Sequence, residues 1–205
     1  MIAMKKTMIL LVAVLGAIAH AHAQKLTKAG EFGYQASFPM GDFKDFVGKT
    51  SWVGFNLTGR HYMPKAERLS LGINLCWFYF PDKQGRKTVD LKDQGTYTGY
   101  VTNYTNIYGL NLVAQYDLQE RHAKLVPYVR AGIGGAYQNQ RTDIGLYAFK
   151  SDGIQLLLNA ELGLRFSKDG QRGFLLSGTF HQLPAASDMV STQFLGVKLG
   201  IFGFH

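Results

Sequence analysis

Residues 154 to 166 read IQLLLNAELGLRF, and their period leaves few options for the chain. Ile154, Leu156, Leu158, Ala160, Leu162, Leu164 and Phe166 fall on one parity. Gln155, Asn159, Glu161, Gly163 and Arg165 fall on the other, with Leu157 the one apolar intruder. A helix places apolar residues three and four apart, whereas a strand alternates its faces every residue. This stretch therefore predicts a strand with one greasy face and one polar face.

The same alternation recurs around Phe32–Phe38, Val53–Arg60, Leu69–Tyr79, Tyr108–Tyr116, Val129–Tyr137, Phe174–His181 and Leu195–Ile201. With 154–166 that makes eight strands. None of the segments between them has the pattern of a long amphipathic helix. Short connections, around Pro64, around Glu120 and Arg121, and over Ser167–Arg172, alternate with longer ones at 39–50, 81–103, 138–152 and 183–191. Such alternation is how an up-and-down sheet crosses a slab, with tight turns on one side and long loops on the other.

The apolar face is the larger and more aromatic one. The other face carries Gly, Asn, Gln, Thr and charge. A soluble barrel, such as a lipocalin-like ligand carrier, has the reverse arrangement. Strands of about ten residues cross a bilayer at a tilt. Trp52, Tyr62, Trp77, Tyr79, Tyr104, Tyr116, Tyr137, Phe166 and Phe204 lie near strand ends, where rings meet headgroups. The fold class predicted is all-β: an eight-stranded, antiparallel, up-and-down transmembrane β-barrel.

Export fits this reading. Lys5 and Lys6 precede the apolar run Met8–Ala19, and Ala21-His22-Ala23 offers small residues for cleavage before Gln24. Residues 1–23 are expected to be a cleaved signal peptide and 24–205 the barrel. The run is shorter than the roughly 20 apolar residues of a spanning helix. Without Lys5 and Lys6 the 22 basic residues fall to 20 against 14 acidic, a net charge of +6. Cys76 is the single cysteine, so an internal disulfide is excluded.

Two segments carry a family likeness. Phe38-Pro39-Met40-Gly41-Asp42-Phe43 follows the first strand, and Pro127-Tyr128-Val129-Arg130-Ala131-Gly132-Ile133-Gly134-Gly135-Ala136 contains a Pro-Tyr-x-x-x-Gly-x-Gly pattern. Both resemble the small outer-membrane β-barrel proteins, the "porin family", typical of Bacteroidota. The resemblance implies a bacterial outer-membrane location. At the chain end Gly200, Phe202 and Phe204 are similar to the assembly signal of such barrels, with the glycine one place out of register and His205 last.

An eight-stranded barrel has a lumen that side chains fill. The inward set includes Glu31 and Glu161 as acids and Arg60, Arg130, Arg165 and Lys198 as bases. Charge in such a place must be paired, because desolvation is costly. Glu161 and Arg165 share a side but stand roughly 13 Å apart by strand rise, so each is expected to meet a neighbouring strand. Arg130 is the candidate partner of Glu161. This network reads as a plug, and the alternative is a narrow channel for ions or very small solutes.

Enzyme chemistry ranks third. Inward Ser177 and His181 are too far apart along one strand for contact. The His-x-Ser spacing of barrel deacylases is absent, because Gln182 and Leu183 follow His181. A non-enzyme with a structural, adhesive or envelope-assembly role is therefore expected. No cofactor, metal site or nucleic-acid partner is expected either. The remaining surface is the loop Pro81–Asn103, where Lys83, Arg86, Lys87, Lys92, Tyr97 and Tyr100 offer contacts to lipopolysaccharide phosphates or to an envelope protein.

Overall fold

The computed structural model describes residues 27–91, 95–186 and 189–205. The expected signal peptide, 1–23, and Lys92 of the expected loop lie outside these residues. Eight strands follow one another: β1 (Lys28–Met40), β2 (Val53–Met63), β3 (Ala66–Leu91), β4 (Gly95–Asp117), β5 (Leu125–Ile144), β6 (Tyr147–Ser167), β7 (Arg172–Leu183) and β8 (Thr192–Phe204). Each pairs antiparallel with the next, and β8 closes on β1 with Phe32 opposite Ile201. Closure leaves no free sheet edge, which a bilayer does not tolerate.

The alternation places the side chains. Leu110, Leu112, Ile133, Ile154, Leu162, Phe174 and Leu199 stand outward and exposed. Asn74, Asn111, Gln115, Asn159 and Glu161 turn inward and are buried. A closed sheet with aliphatic residues outside and amides and charges inside is a barrel solvated by lipid. On the outer wall the rings of Phe32, Phe55, Trp77 and Tyr108 stack across four successive strands, at centroid separations of 6.1, 5.8 and 6.4 Å.

Three expectations need correction. The segments 81–103 and 138–152 are not loops. β3 and β4 stay paired out to Leu91 and Gly95, and β5 and β6 out to Ile144 and Tyr147. Threonines and aromatics keep the pairing beyond the lipid-facing band: Thr88 and Thr98 hydroxyls meet at 2.9 Å, and Tyr97 packs on Tyr147 and Phe149. Tyr62 and Phe204 do not join the aromatic belt. They share inward parity with Arg60 and Phe202, and both are buried in the lumen floor.

The third correction concerns 39–50, which holds a short helix, α1 (Asp42–Phe46). Gly41 at φ 55° makes the turn out of β1. The helix does not project outward. It drops Phe43 into the barrel mouth, and both Phe43 and the following Val47 are fully buried.

Glycines on the inner wall let the lumen pack. A Cβ on Gly132 would lie 2.1 Å from Asn159 Oδ1, and one on Gly163 would lie 2.4 Å from the Tyr128 ring. Small residues here make room for large ones from the facing strand.

Candidate functional site

The lumen has two storeys. The half nearest the short turns is ionic, and the outer half mixes an aromatic and aliphatic cluster with buried amides and hydroxyls, Thr105, Gln138, Gln155 and Thr192 among them. In the lower half, Glu31, Asp117 and Glu161 face Arg60, Arg130, Arg165 and Lys198, all buried. Glu31 on β1 pairs with Arg60 on β2 and reaches across the barrel to Arg130 on β5. Arg130 also lies 3.2 Å from Glu161, its register partner on β6. Lys198 on β8 donates to Glu161 at 2.7 Å, and the Tyr128 hydroxyl donates to it at 2.5 Å.

Arg165 stands apart from that group. Its partner is Asp117 on β4, two strands away, at 2.6 Å, with Tyr62 donating to the same carboxylate at 2.6 Å. The Phe202 and Phe204 rings lie beneath its guanidinium, at 5.3 and 5.2 Å. Gln115 joins the two groups, accepting from Arg130 Nε at 2.9 Å and donating to Asp117 at 2.7 Å. The structure thus brings all six candidate lumen residues into one ionic layer. It adds Asp117, Gln115, Tyr62 and Tyr128, which the sequence reading did not place in that network. Asp117 shares the parity of Asn111 and Gln115, so carrying the β4 alternation one step further would have found it.

The candidate binding residues scatter instead. Lys83, Arg86 and Lys87 lie on the outer part of β3, beyond the lipid-facing band. Tyr100 is exposed on β4, and Tyr97 belongs to the small aromatic cluster with Tyr147 and Phe149. A ribbon presents them rather than a loop.

The outer half is lined by Phe78, Phe80, Ile107, Leu157, Leu183 and Phe194, and Phe43 and Val47 close it from above. His181 marks its lower boundary. The imidazole stacks on Phe194 at 4.7 Å and meets the edge of Phe78 at 4.9 Å. Neither ring nitrogen has a hydrogen-bond partner among the described residues, and neither do the hydroxyls of Ser177 and Thr179 on the same inward face. The imidazole thus sits buried between an aromatic cluster and the ionic layer. Thr179 stands two residues before it on the same face, roughly 7 Å away by strand rise. Leu183 stands two residues after it and packs into the apolar cluster.

Comparison with known proteins now adds the family. The model described as lipid A 3-O-deacylase (PagL) matches residues 67–181, more than half of the chain and ending on His181. The chain belongs to the lipid A 3-O-deacylase family. That membership overturns the expectation of a non-enzyme, because the family is one of enzymes. Of the resemblance carried by the two motifs, the small outer-membrane barrel is supported, and the match does not extend to the Bacteroidota porin family. Short Gly-rich and Pro-Tyr strand patterns reflect how a narrow barrel packs, so they do not separate one small-barrel family from another.

No curated protein matches the chain. Among solved structures, Neisserial surface protein A superposes with a TM-score of 0.54 at 8% identity, covering 90% of this chain and 100% of that one. A major outer membrane protein from Thermus thermophilus superposes with a TM-score of 0.53 at 13% identity, covering 90% of this chain and 100% of that one. At such identities the likeness concerns the fold alone. Together with the deacylase family and the lipid-facing wall, it makes the chain a small bacterial outer-membrane β-barrel.

Proposed function

We propose that this barrel hydrolyses an ester-linked acyl chain of lipid A in the outer leaflet. The observation that carries the proposal is the deacylase-family match over residues 67–181. Lipid A is the lipid that this family's name specifies, and the outward aliphatic wall immerses the barrel among acyl chains. His181 is the residue we assign as proton acceptor. In the reaction an oxygen nucleophile attacks the acyl carbon and passes its proton to His181. The ester C–O bond breaks, and the sugar oxygen takes the proton back. Water then attacks the acyl-enzyme ester, again through His181, and releases the fatty acid. Leu183 stands where a His-x-Ser pair would supply the nucleophile. The Thr179 hydroxyl, at the same spacing on the other side of His181, is the candidate we put in its place. Support for hydrolysis therefore comes from the family and the position of His181, and not from a formed hydrogen bond between base and nucleophile.

The ionic layer has a different part in this reading. It seals the lower lumen and holds the strands in register, because a carboxylate bound to two or three cations from separate strands cannot shift without exposing charge. The experiment is lipid A mass analysis of cells with and without the protein, and with His181→Ala or Thr179→Val. Loss of one acyl chain with the wild-type protein, abolished by H181A and T179V, is expected. Identical lipid A in all samples overturns the deacylase reading. Deacylation that survives T179V removes Thr179 as nucleophile.

A further inference from the structure

We propose that the β7–β8 face is a surface for the polar linkage region of the outer leaflet, which it draws deeper along the barrel than the β5–β6 face does. The surface stands on geometry alone, without the hydrolysis reading. On β6 the outward apolar run goes from Ile154 to Phe166, and on β5 from Leu125 to Tyr137. Such a run rises roughly 40 Å along the strand, or about 30 Å in height at a tilt of about 40°. On β7 the outward apolar run is only Phe174 to Phe180, and on β8 Leu195 to Ile201. It rises roughly 20 Å, or about 15 Å in height. Outer-membrane barrels show lipid an apolar band of about 25 Å, so the tall face meets that thickness and the short face falls about 10 Å below it.

The deficit lies at the outer end. Phe166, Phe174 and Ile201 share one row of the sheet. Strand tilt displaces a row by only about 3 Å from one strand to the next. Farther out, Leu158 of β6 stands beside Gln182 of β7, Gln182 beside Gln193 of β8, and Gln193 beside Met40 of β1. Leu156 and Ile154 continue the apolar wall of β6 past that row, 48% and 79% exposed. No strand continues β7 there. It ends at Leu183, and beyond it the Pro184 carbonyl accepts the Gln155 amide at 3.1 Å while Met189 is buried. Gln182 and Gln193 therefore face outward at a level where the neighbouring strand faces hydrocarbon. Both are half-buried, and neither side chain has a hydrogen-bond partner among the described residues. An amide without a partner in the protein takes one from its surroundings, and hydrocarbon offers none. The carbonyls and hydroxyls of a lipid's linkage region do. A bilayer that meets a short wall thins locally until such groups reach the wall's polar edge. His181 and Thr179 lie on β7, so under the deacylase reading the same thinning lowers ester bonds toward their strand.

The test places a nitroxide on the full-length barrel in phosphatidylcholine vesicles, at Gln182→Cys, Gln193→Cys, Leu156→Cys or Leu158→Cys. Each is made in a Cys76→Ser background, and each glutamine substitution leaves the other amide in place. Heat-modifiable migration checks that every variant folds. Collision rates with oxygen, which concentrates in hydrocarbon, and with a water-soluble nickel chelate give the depth of each label. The expected oxygen-to-nickel ratio is about threefold lower at the two glutamine positions than at the two leucine positions, because water stops where hydrocarbon begins. Equal ratios at all four positions overturn the proposal. Labels at 182 and 193 that are shielded from both reagents and broadened by a neighbouring barrel also overturn it, because a second copy then covers this face. The lipid A mass analysis separates the two readings. A depth step with unaltered lipid A supports the surface and refutes hydrolysis, and deacylation without a depth step does the reverse.

Discussion

Glu31→Gln removes one carboxylate from a layer in which three acids face four bases. Glu31 touches two of those bases, Arg60 on the adjacent strand and Arg130 across the barrel. All three side chains are buried. Glutamine keeps the shape and one acceptor oxygen but not the charge, so both guanidiniums lose a charged partner in a medium that solvates them poorly. Breaking a buried pair in this way costs about 3–5 kcal/mol, and the retained acceptor places E31Q near the lower end, about 3 kcal/mol. With a urea dependence of about 2 kcal/mol per molar, the unfolding midpoint in phospholipid vesicles moves down by about 1.5 M. Glu31→Leu combined with Arg60→Leu removes one charge of each sign and is expected to recover more than half of the loss. An E31Q stability within about 1 kcal/mol of wild type, the range of exposed ion pairs, would refute the claim that this layer is desolvated and mutually dependent.

Two further outcomes follow from the same geometry. Leu112→Arg places a guanidinium on the lipid face at a position that is 66% exposed to the surroundings of the barrel. It is expected to lower stability in vesicles by about 2–4 kcal/mol, and a negligible change would mean that this wall does not face hydrocarbon. In the β6–β7 turn, Asp169 accepts amides from Arg172 at 3.0 Å and Gln171 at 2.8 Å, and the Ser167 hydroxyl at 3.1 Å. The Arg172 amide first, then the Gln171 amide, hold its carboxyl at about 2, below the ordinary 3.8. A depressed folded value means that the turn's contribution is fully present above pH 3.8 and is lost as pH falls through about 2. A carboxyl-carbon NMR titration of Asp169 with its midpoint near the ordinary 3.8 would show that these bonds do not form.

Period-two alternation along the chain was enough to read the strand count, the antiparallel ring and the inward parity of Glu31, Arg60, Arg130, Glu161, Arg165 and Lys198. It works because a strand has only two faces, and a bilayer outside with a narrow lumen inside imposes opposite chemistry on them. Partner choice was beyond it. Arg165 meets Asp117 because β4 and β6 flank β5 and the curvature of the wall turns both side chains into the same interior, and no linear spacing encodes that distance. Tyr62 and Phe204 look like belt aromatics by position along their strands, yet parity turns them into the floor. The segments 81–103 and 138–152 look like loops because they are polar, and they stay strands because each edge finds a partner in the other.

By itself, then, the sequence determined the barrel, its orientation toward lipid and the composition of its interior, since each follows from local alternation. The tertiary structure decided which charges meet, and that the segment after β1 folds back into the mouth rather than outward. Phe43 is buried only because Phe78, Phe80 and Phe194, brought in by β3 and β8, make an apolar hollow of its width. The same closure carries His181 from a strand position of no special note to the foot of that hollow, where its ring stacks on Phe194.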